Sequence, residues 1–331
     1  MLNQSLKLNT KLFDADVERV SIRKGFGEGL VLAADNDKNV VGLCADLNES
    51  SQMHLFAKKY PLRFVQVGVA EQNLVTVASG MAAMGKIPFT SSYAMFSPGR
   101  NWEQIRTTIA YNDRPVKIVG SHAGVSVGPD GGTHQAIEDI ALMRVLPNMI
   151  VLSPCDAIEA KKATVEAAKI NKPVYIRLAR EKTPIITTED TPFEIGKAQV
   201  FFNPPMTAQV GIVATGALLH NAILAAQNFS QRGIAVKVLN ISSVRSLDFE
   251  AVINLAKETG AIVSVEEHQV VGGLGSAVSE VLVQNHPVPM EFIGIHDKFG
   301  QSGTPAELIE HYGMGVSSIE KAVERVMGRK N

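Results

Sequence analysis

The chain has 331 residues, of which 45% are hydrophobic and 20% charged, and at about 150 residues per domain this length predicts two domains. Lysine and arginine total 32 against 33 aspartate and glutamate, for a formal net charge of −1, which argues against a nucleic-acid-binding surface and an acidic tail. Cys44 and Cys155 lie far apart, which excludes a disulfide framework and a cysteine zinc site and favours a reducing, cytoplasmic setting. No stretch approaches about 18 consecutive apolar residues and the first residues are polar, so we expect no membrane span and no signal peptide.

Short β-branched runs alternate with segments of helical period through the first half of the chain. We predict strands at 40–43, 63–67, 87–91, 116–121, 150–152 and 174–178, and helices at 17–34, 72–84, 99–110, 134–145 and 157–169. Because most of these strands are apolar throughout, the alternation predicts a parallel sheet covered by helices on both faces.

A second α/β series follows a proline-rich stretch. Residues 182–206 contain four prolines and little helical period, so we predict a linker at 184–206 between a domain at 14–183 and a domain at 207–329. In the second domain we predict strands at 210–214, 236–240, 262–266 and 291–295, and helices at 217–230, 249–259 and 274–284. The predicted fold class is therefore α/β.

Polar and aromatic residues follow five of the predicted strands. In open parallel sheets, ligands bind beyond the carboxyl ends of the strands. In chain order these residues are Asp46 and Ser50, Glu71, Tyr93 and Phe96, then His122, Asp130 and His134, and finally Arg180. Their convergence on one sheet edge predicts a ligand site there.

The segment 121–135 is glycine-rich and lies between a predicted strand and a predicted helix. Glycines allow the backbone to approach a ligand or to adopt a positive φ. We predict that Thr133 caps the following helix, whose amino end would favour an anion. His122 and His134 are candidates for proton transfer or phosphate contact. A solvated glycine-rich turn with incidental polar residues is the alternative.

The other candidates each have a structural and a functional interpretation. Glu71 is either a helix-start carboxylate or a partly buried group that hydrogen-bonds a ligand ring nitrogen. Tyr93 and Phe96 are core aromatics or a stacking surface. Arg23 and Arg180 are surface charges or phosphate ligands. The sequence has no GxxxxGK[ST], GxGxxG or HExxH motif, so we predict neither a nucleotide phosphate loop nor a metal site in this chain.

Five strings, in this order, resemble transketolase: residues 42–47, 68–73, 88–96, 121–135 and 175–180. The resemblance covers nearly the whole chain and corresponds to the pyrimidine-binding domain followed by the C-terminal domain. These two domains form a separate chain in two-subunit transketolases. The resemblance implies two doubly wound, three-layer α/β/α domains.

The resemblance also implies roles in binding thiamine diphosphate. Glu71 matches the glutamate that hydrogen-bonds N1′ of the aminopyrimidine and favours its imino tautomer. Phe96 matches the aromatic that stacks on the pyrimidine, with Tyr93 beside it. Asp46 matches an aspartate near the thiazolium side.

The remaining candidates match substrate-binding residues of the family. His134 matches the histidine near the donor carbonyl and, with Glu71, is a predicted catalytic residue. Asp130 matches the aspartate that binds the donor C2 hydroxyl. The phosphate site is matched by Arg23, Ser50, His122 and Arg180.

The family holds the diphosphate and its Mg²⁺ or Ca²⁺ through a GDG motif on a separate N-terminal domain, and this sequence contains no GDG. The resemblance therefore implies an N-terminal transketolase subunit as partner. The active site would lie at the subunit interface, two pairs would form a heterotetramer, and the isolated chain would be inactive.

Three alternatives remain. 1-Deoxyxylulose-5-phosphate synthase shares the motif around Glu71 but usually has aspartate at the position of His122. The beta subunit of a 2-oxoacid dehydrogenase shares the Glu71 motif but lacks the loop with His122, Asp130 and His134. A non-catalytic subunit would be expected to have lost part of this residue set.

Overall fold

A computed structural model of the chain describes residues 1–330 and contains two α/β domains. In chain order the strands are β1 (Arg19–Ser21), β2 (Val40–Cys44), β3 (Phe64–Gln66), β4 (Ile87–Tyr93), β5 (Lys117–Ser121), β6 (Ile150–Leu152), β7 (Val174–Arg177), β8 (Lys182–Pro184), β9 (Gln199–Phe202), β10 (Val210–Ala214), β11 (Val236–Asn240), β12 (Ser243–Arg245), β13 (Ile262–Gln269) and β14 (Met290–Ile295).

The α-helices alternate with these strands along most of the chain. They are α1 (Ile22–Asn36), α2 (His54–Lys59), α3 (Glu71–Ala83), α4 (Trp102–Gln104), α5 (Asp139–Arg144), α6 (Ala157–Lys169), α7 (Leu219–Gln231), α8 (Phe249–Thr259), α9 (Leu274–Asn285), α10 (Pro305–His311) and α11 (Val316–Met327). Within residues 1–330 no helix is long and apolar enough to cross a membrane.

The larger sheet has the strand order β12-β6-β7-β5-β4-β2-β3. The six strands of the first half run parallel, and β2, β5 and β7 are buried along their whole length. This burial explains their continuous apolar sequences, because helices cover both faces of such a sheet. All six strands predicted for this domain are present, with ends shifted by one or two residues.

Helices α1 and α6 pack closely on one face of this sheet because α1 has glycines at the contact. A Cβ atom on Gly25 would lie 1.8 Å from the carbonyl oxygen of Ala157, and one on Gly29 would lie 2.6 Å from that of Lys161. Helix α1 starts later than the predicted helix at 17–34, because residues 19–21 form β1, which pairs antiparallel with β8.

Two predicted helices in the first domain need correction. The helix predicted at 134–145 begins only at Asp139, so Thr133 does not cap it. The hydroxyl Oγ1 of Thr133 instead lies 3.0 Å from Nδ1 of His134. The helix predicted at 99–110 begins at Trp102 and continues as a π-helical segment, Ile105–Ala110.

The second sheet has the order β14-β13-β10-β11-β9, with only β9 antiparallel. Strand β9 comes from the segment predicted as a linker, and β12 pairs with β6 of the first domain. Helices α10 and α11 follow β14 and were not predicted. In α11 the buried residues recur at helical spacing, as Ile319, Ala322, Val323 and Val326.

Candidate active site

Strands β7, β5, β4, β2 and β3 are neighbours in the sheet and run parallel, so their carboxyl ends meet at one edge. All of the candidate residues except Arg23 lie at or after the ends of these five strands, and Arg23 lies in the first turn of α1. Most of the predicted side chains are brought together at this edge, in three groups that lie side by side: a carboxylate, a cluster of rings and a pair of cations.

Glu71 is the first residue of α3 and is only 2% exposed. Its carboxylate oxygen Oε2 accepts a hydrogen bond from Nη1 of Arg100 at 2.9 Å, and its backbone oxygen accepts one from Nδ2 of Asn101 at 2.8 Å. The other carboxylate oxygen, Oε1, accepts no hydrogen bond within residues 1–330 and is not sealed from solvent. One oxygen is therefore fixed by the protein while the other is available to a ligand donor.

Four rings form a cluster beside this carboxylate: Tyr93, Phe96, His122 and His134. The rings of Tyr93 and Phe96 are nearly parallel, with centroids 6.0 Å apart, and Tyr93 stacks on His122 at 3.9 Å. His134 lies edge-on to Phe96 at 5.5 Å. The guanidinium of Arg100 lies 4.8 Å from the centroid of Phe96, so Arg100 connects the ring cluster to Glu71.

His122 is neutral and held as one tautomer. A guanidinium can only donate, so the contact of 3.3 Å from Nη1 of Arg23 requires Nε2 of His122 to accept. The ring proton then sits on Nδ1, which donates to Oγ of Ser121 at 2.9 Å. Burial lowers the pKa of His122 to about 3, and the charges of Arg23, Arg180 and His134 act in the same direction. At neutral pH His122 is therefore uncharged and both of its ring nitrogens are engaged within the protein, so its predicted roles in proton transfer and phosphate contact stay predictions.

Arg23 and Arg180 form a cation pair next to His122. Burial lowers the pKa of Arg23, and the positive charge of Arg180 lowers it further. Nη1 of Arg23 donates to the backbone oxygen of Ser50 at 2.6 Å, while its buried Nε has no partner within residues 1–330. Ser50 thus contributes its backbone oxygen to this group. Two guanidinium groups whose charges repel, one with an unused donor, are suited to an anion.

Asp46 and Asp130 lie outside these three groups. Both are exposed, and neither side chain makes a hydrogen bond in the part of the chain that the structure describes. Asp46 has a positive φ of 58°, and its N–H donates to Oε1 of Gln66 at 2.8 Å. Asp130 ends the 3₁₀ segment Val125–Asp130 in the glycine-rich loop. Within residues 1–330 no hydrogen bond joins the side chain of either aspartate to these three groups, and their predicted roles stay predictions.

Sequence reasoning missed Arg100 and Asn101. Both follow Phe96 within the stretch predicted as a helix, where an arginine and an asparagine look like ordinary surface residues. The available signal was their position a few residues beyond the end of β4, at the ligand-binding edge. Across residues 1–330, no three His, Cys, Asp or Glu side chains are grouped so that they could hold a metal ion.

The fold and site together define a two-domain α/β protein whose first domain carries a buried carboxylate, a ring cluster and a cation pair at one edge of a parallel sheet. Residues 18–185 match the family model described as transketolase, pyrimidine binding domain, and residues 205–319 match transketolase, C-terminal domain. The chain belongs to the transketolase family. This result favours the resemblance inferred from sequence over the synthase and oxoacid-dehydrogenase alternatives.

Similar proteins and a solved structure identify the corresponding part of the enzyme. The chain is 41% identical to a putative transketolase C-terminal section of Methanocaldococcus jannaschii, over 93% of this chain and 97% of that protein. It is 39% identical to a 6-deoxy-6-sulfo-D-fructose transketolase subunit of a Clostridium species, over 96% and 98%. A structure named split gene transketolase, inactive beta4 tetramer, matches with a TM-score of 0.88 and 42% identity, over 94% of this chain and 100% of that chain. Along nearly its whole length, the chain is therefore similar to C-terminal sections and subunits of split transketolases.

Proposed function

We propose that this subunit, together with an N-terminal transketolase subunit, reversibly transfers a two-carbon ketol unit between ketose and aldose sugar phosphates, using thiamine diphosphate. One observation carries the proposal. A buried carboxylate with a free oxygen, on Glu71, lies beside a ring cluster that is bordered by the cation pair Arg23 and Arg180. Such an edge offers one surface for a heteroaromatic ring and another for an anionic sugar.

The residues present fit the aminopyrimidine of the cofactor. Oε1 of Glu71 is free to accept a hydrogen bond from a protonated ring nitrogen, and Tyr93 and Phe96 offer a flat surface for stacking. When bound, thiamine diphosphate supplies the nucleophilic carbon and the electron sink that cleavage of a carbon–carbon bond requires. Asp46 is assigned to the thiazolium side, as the resemblance implies.

Glu71 would stabilise the proton on the pyrimidine nitrogen. A carboxylate shielded from water interacts more strongly with that proton than an exposed one, because the local dielectric is low. Arg100 fixes the orientation of the carboxylate through Oε2 and leaves Oε1 directed to the ligand. The protein thereby holds the oxygen that accepts the hydrogen bond, Oε1 of Glu71, in position before the cofactor binds.

His134 and Asp130 are proposed to bind the donor sugar. Nδ1 of His134 is engaged by the hydroxyl of Thr133, which leaves Nε2 for the carbonyl or hydroxyl of the substrate. Asp130 is exposed at the end of the 3₁₀ segment and would accept a hydrogen bond from a donor hydroxyl next to the carbonyl, because C2 of a ketose is the carbonyl carbon itself. Both contacts would orient the carbonyl carbon toward the cofactor.

Arg23 and Arg180 would bind the phosphate, with His122 and Ser50 holding Arg23 in position. A bound dianion would relieve the repulsion between the two guanidinium groups. A sulfonate has the same tetrahedral arrangement of oxygens with one charge fewer. A relative that is 39% identical is named for a sulfosugar. Both a phosphorylated and a sulfonated sugar donor should therefore be assayed.

The partner subunit is proposed to complete the site. This sequence has no GDG motif for the diphosphate and its Mg²⁺ or Ca²⁺, so a partner would supply it. Two such pairs would assemble as a heterotetramer in the cytoplasm. The similarity to a split-gene protein whose isolated tetramer is named inactive supports the view that this chain alone lacks activity.

A Glu71→Gln variant tests the proposal in the reconstituted pair. We expect transfer from xylulose 5-phosphate to ribose 5-phosphate to fall by about 100-fold or more, because the amide is a far weaker partner for the ring proton. Assembly, followed by size-exclusion chromatography, should not change. Gln72→Ala is the matched control, since Gln72 is the next residue of α3 and is exposed. Unchanged turnover in Glu71→Gln would remove Glu71 from the proposed role.

A further inference from the structure

The glycines of the loop 121–135 face the second domain. A Cβ atom on Gly124 would lie 2.2 Å from Oε1 of Glu267, and one on Gly131 would lie 2.7 Å from Oγ of Ser302. A Cβ on Gly132 would lie 2.6 Å from the carbonyl oxygen of Gly300. Side chains at these positions would collide with the C-terminal domain. The glycines therefore allow the loop backbone to pack against that domain, a reason different from the ligand approach expected from sequence.

Glu267 is the central contact on the C-terminal side. It lies in β13, is 4% exposed, and accepts at Oε1 a hydrogen bond of 2.7 Å from the backbone nitrogen of Ser126. Its other oxygen, Oε2, is buried and has no partner within residues 1–330. Burial raises the pKa of Glu267, against the opposing charge of Arg177. A carboxylate in this setting adds little to stability, because half of its hydrogen-bonding capacity is unused.

The first domain also hydrogen-bonds to the backbone of Glu267. Nη2 of Arg177, on β7, donates to the backbone oxygen of Glu267 at 2.8 Å. Nε of Arg177 also pairs with Oδ2 of Asp139 at 2.9 Å, and both of these side chains are buried. The position of Glu267 is thus set by an ion pair of the domain that also carries the candidate active site.

The loop in turn positions a member of the cation pair. The backbone oxygen of Val127, next to Ser126, accepts a hydrogen bond of 2.8 Å from Nη1 of Arg180. At the other end of the loop, Nε2 of Gln135 donates to the backbone oxygen of Gln301 at 2.9 Å. The loop is therefore hydrogen-bonded to the C-terminal domain at two points, Ser126 and Gln135.

We propose that the C-terminal domain serves as the scaffold of the substrate-binding loop, and that Glu267 is a positioning residue that places Arg180 for the substrate anion through Ser126 and Val127. The choice of substrate anion rests on the proposed function, whereas the loop scaffold does not.

Hydrogen exchange of the isolated chain, measured by mass spectrometry, tests the scaffold directly. In Glu267→Ala we expect the amides of residues 124–132 to exchange about tenfold faster, because the hydrogen bond that closes the loop is lost. Glu267→Gln retains a carbonyl acceptor for Ser126 and should restore protection to within about twofold. Gly300→Ala disturbs the second contact between the loop and the C-terminal domain, because its Cβ would lie 1.7 Å from Oε1 of Gln135, and we expect faster loop exchange in this variant as well. If Glu267→Ala fails to fold, hydrogen exchange of residues 124–132 in Gly300→Ala still tests the scaffold.

Glu266→Ala is the matched control. Glu266 is the preceding residue of β13 and is equally buried, but its carboxylate accepts hydrogen bonds from the backbone nitrogens of Leu274 and Gly275, at 2.6 and 2.9 Å. It therefore stabilises the start of α9 and makes no hydrogen bond to the loop. We expect a lower melting temperature for this variant with unchanged exchange in residues 124–132.

Kinetics of the assembled complex separate positioning from general stability. Glu267→Ala should raise KM for phosphorylated substrates by about tenfold, with a much smaller change for an unphosphorylated ketose donor such as erythrulose. The inference would be overturned if Glu267→Ala had the same loop exchange and KM as wild type or as Glu266→Ala. A wild-type complex without transfer activity would instead contradict the proposed function, and the exchange data would still decide the scaffold.

Discussion

The side chain of His122 is held between Arg23 and Ser121, and these contacts fix the tautomer of its neutral ring. Folding lowers its pKa from 6.5 to about 3, with burial as the main cause. The unfolded chain therefore binds more protons than the folded chain between these two values. This group makes the protein lose stability as pH falls through that window.

We predict that the imidazole of His122 shows no titration above pH 5 in NMR spectra, with its signals assigned by comparison with His122→Gln. Added inorganic phosphate should raise the pKa of His122, because an anion beside Arg23 and Arg180 offsets their charges. A titration midpoint near the ordinary value of 6.5 without added phosphate would contradict the neutral tautomer.

Arg180→Ala tests the cation pair. We expect KM for sugar phosphates to rise by about tenfold or more, since a charge-assisted contact is lost, and KM for erythrulose to change little. Lys182→Ala is the control, because Lys182 is an exposed cation two residues away and its loss changes the general field equally. Equal losses for both kinds of substrate would remove Arg180 from the phosphate site.

For single residues the sequence was informative where a residue lies at the end of a parallel strand or within a few residues after it. Glu71, Tyr93 and His122 could be placed on one edge because strand ends converge there. Arg100 could not be found in this way, because its importance comes from a contact made across two loops. The cap predicted for Thr133 was wrong because α5 begins later than its apolar pattern, at Asp139.

The packing of α1 on α6 gives a prediction at the scale of elements. Gly25→Ala should lower the free energy of unfolding by about 1–3 kcal/mol, because the added Cβ meets the backbone of α6, which cannot move without separating the helices. Gly80→Ala in α3 is the control, since a Cβ there has nothing within 4 Å. That change should stabilise the protein by about 0.5–1 kcal/mol, because alanine has less conformational entropy to lose. Chemical denaturation measures both, and a neutral Gly25→Ala would contradict the close packing.

The regular elements could be predicted where a single physical pattern dominates. The continuous apolar runs of β2 and β5 and the helical period of α6 identify them without tertiary information. Strands β9 and β12 could not be identified, because short segments become strands only when a sheet edge is available to pair with them. Helix α11 could have been found, since its apolar residues recur every three or four positions.

At the scale of the whole molecule, the two domains predicted from the chain length make direct contacts with each other in addition to the segment that connects them. Strand β12 completes the first domain's sheet, and Glu267 in β13 holds a loop of the first domain. The net charge near zero is compatible with anion binding because Arg23 and Arg180 concentrate positive charge at one point. The second domain is therefore part of the active-site architecture in this account.

Reconstitution with the N-terminal subunit tests the central claim most directly. Each subunit is assayed alone and then both are mixed with thiamine diphosphate and Mg²⁺, using xylulose 5-phosphate as donor and ribose 5-phosphate as acceptor, with a sulfosugar donor in parallel. We predict no transfer by this chain alone and two-carbon transfer by the mixture. A complex that forms, as shown by size-exclusion chromatography, but transfers no two-carbon unit from either donor would contradict the account and favour a non-catalytic subunit.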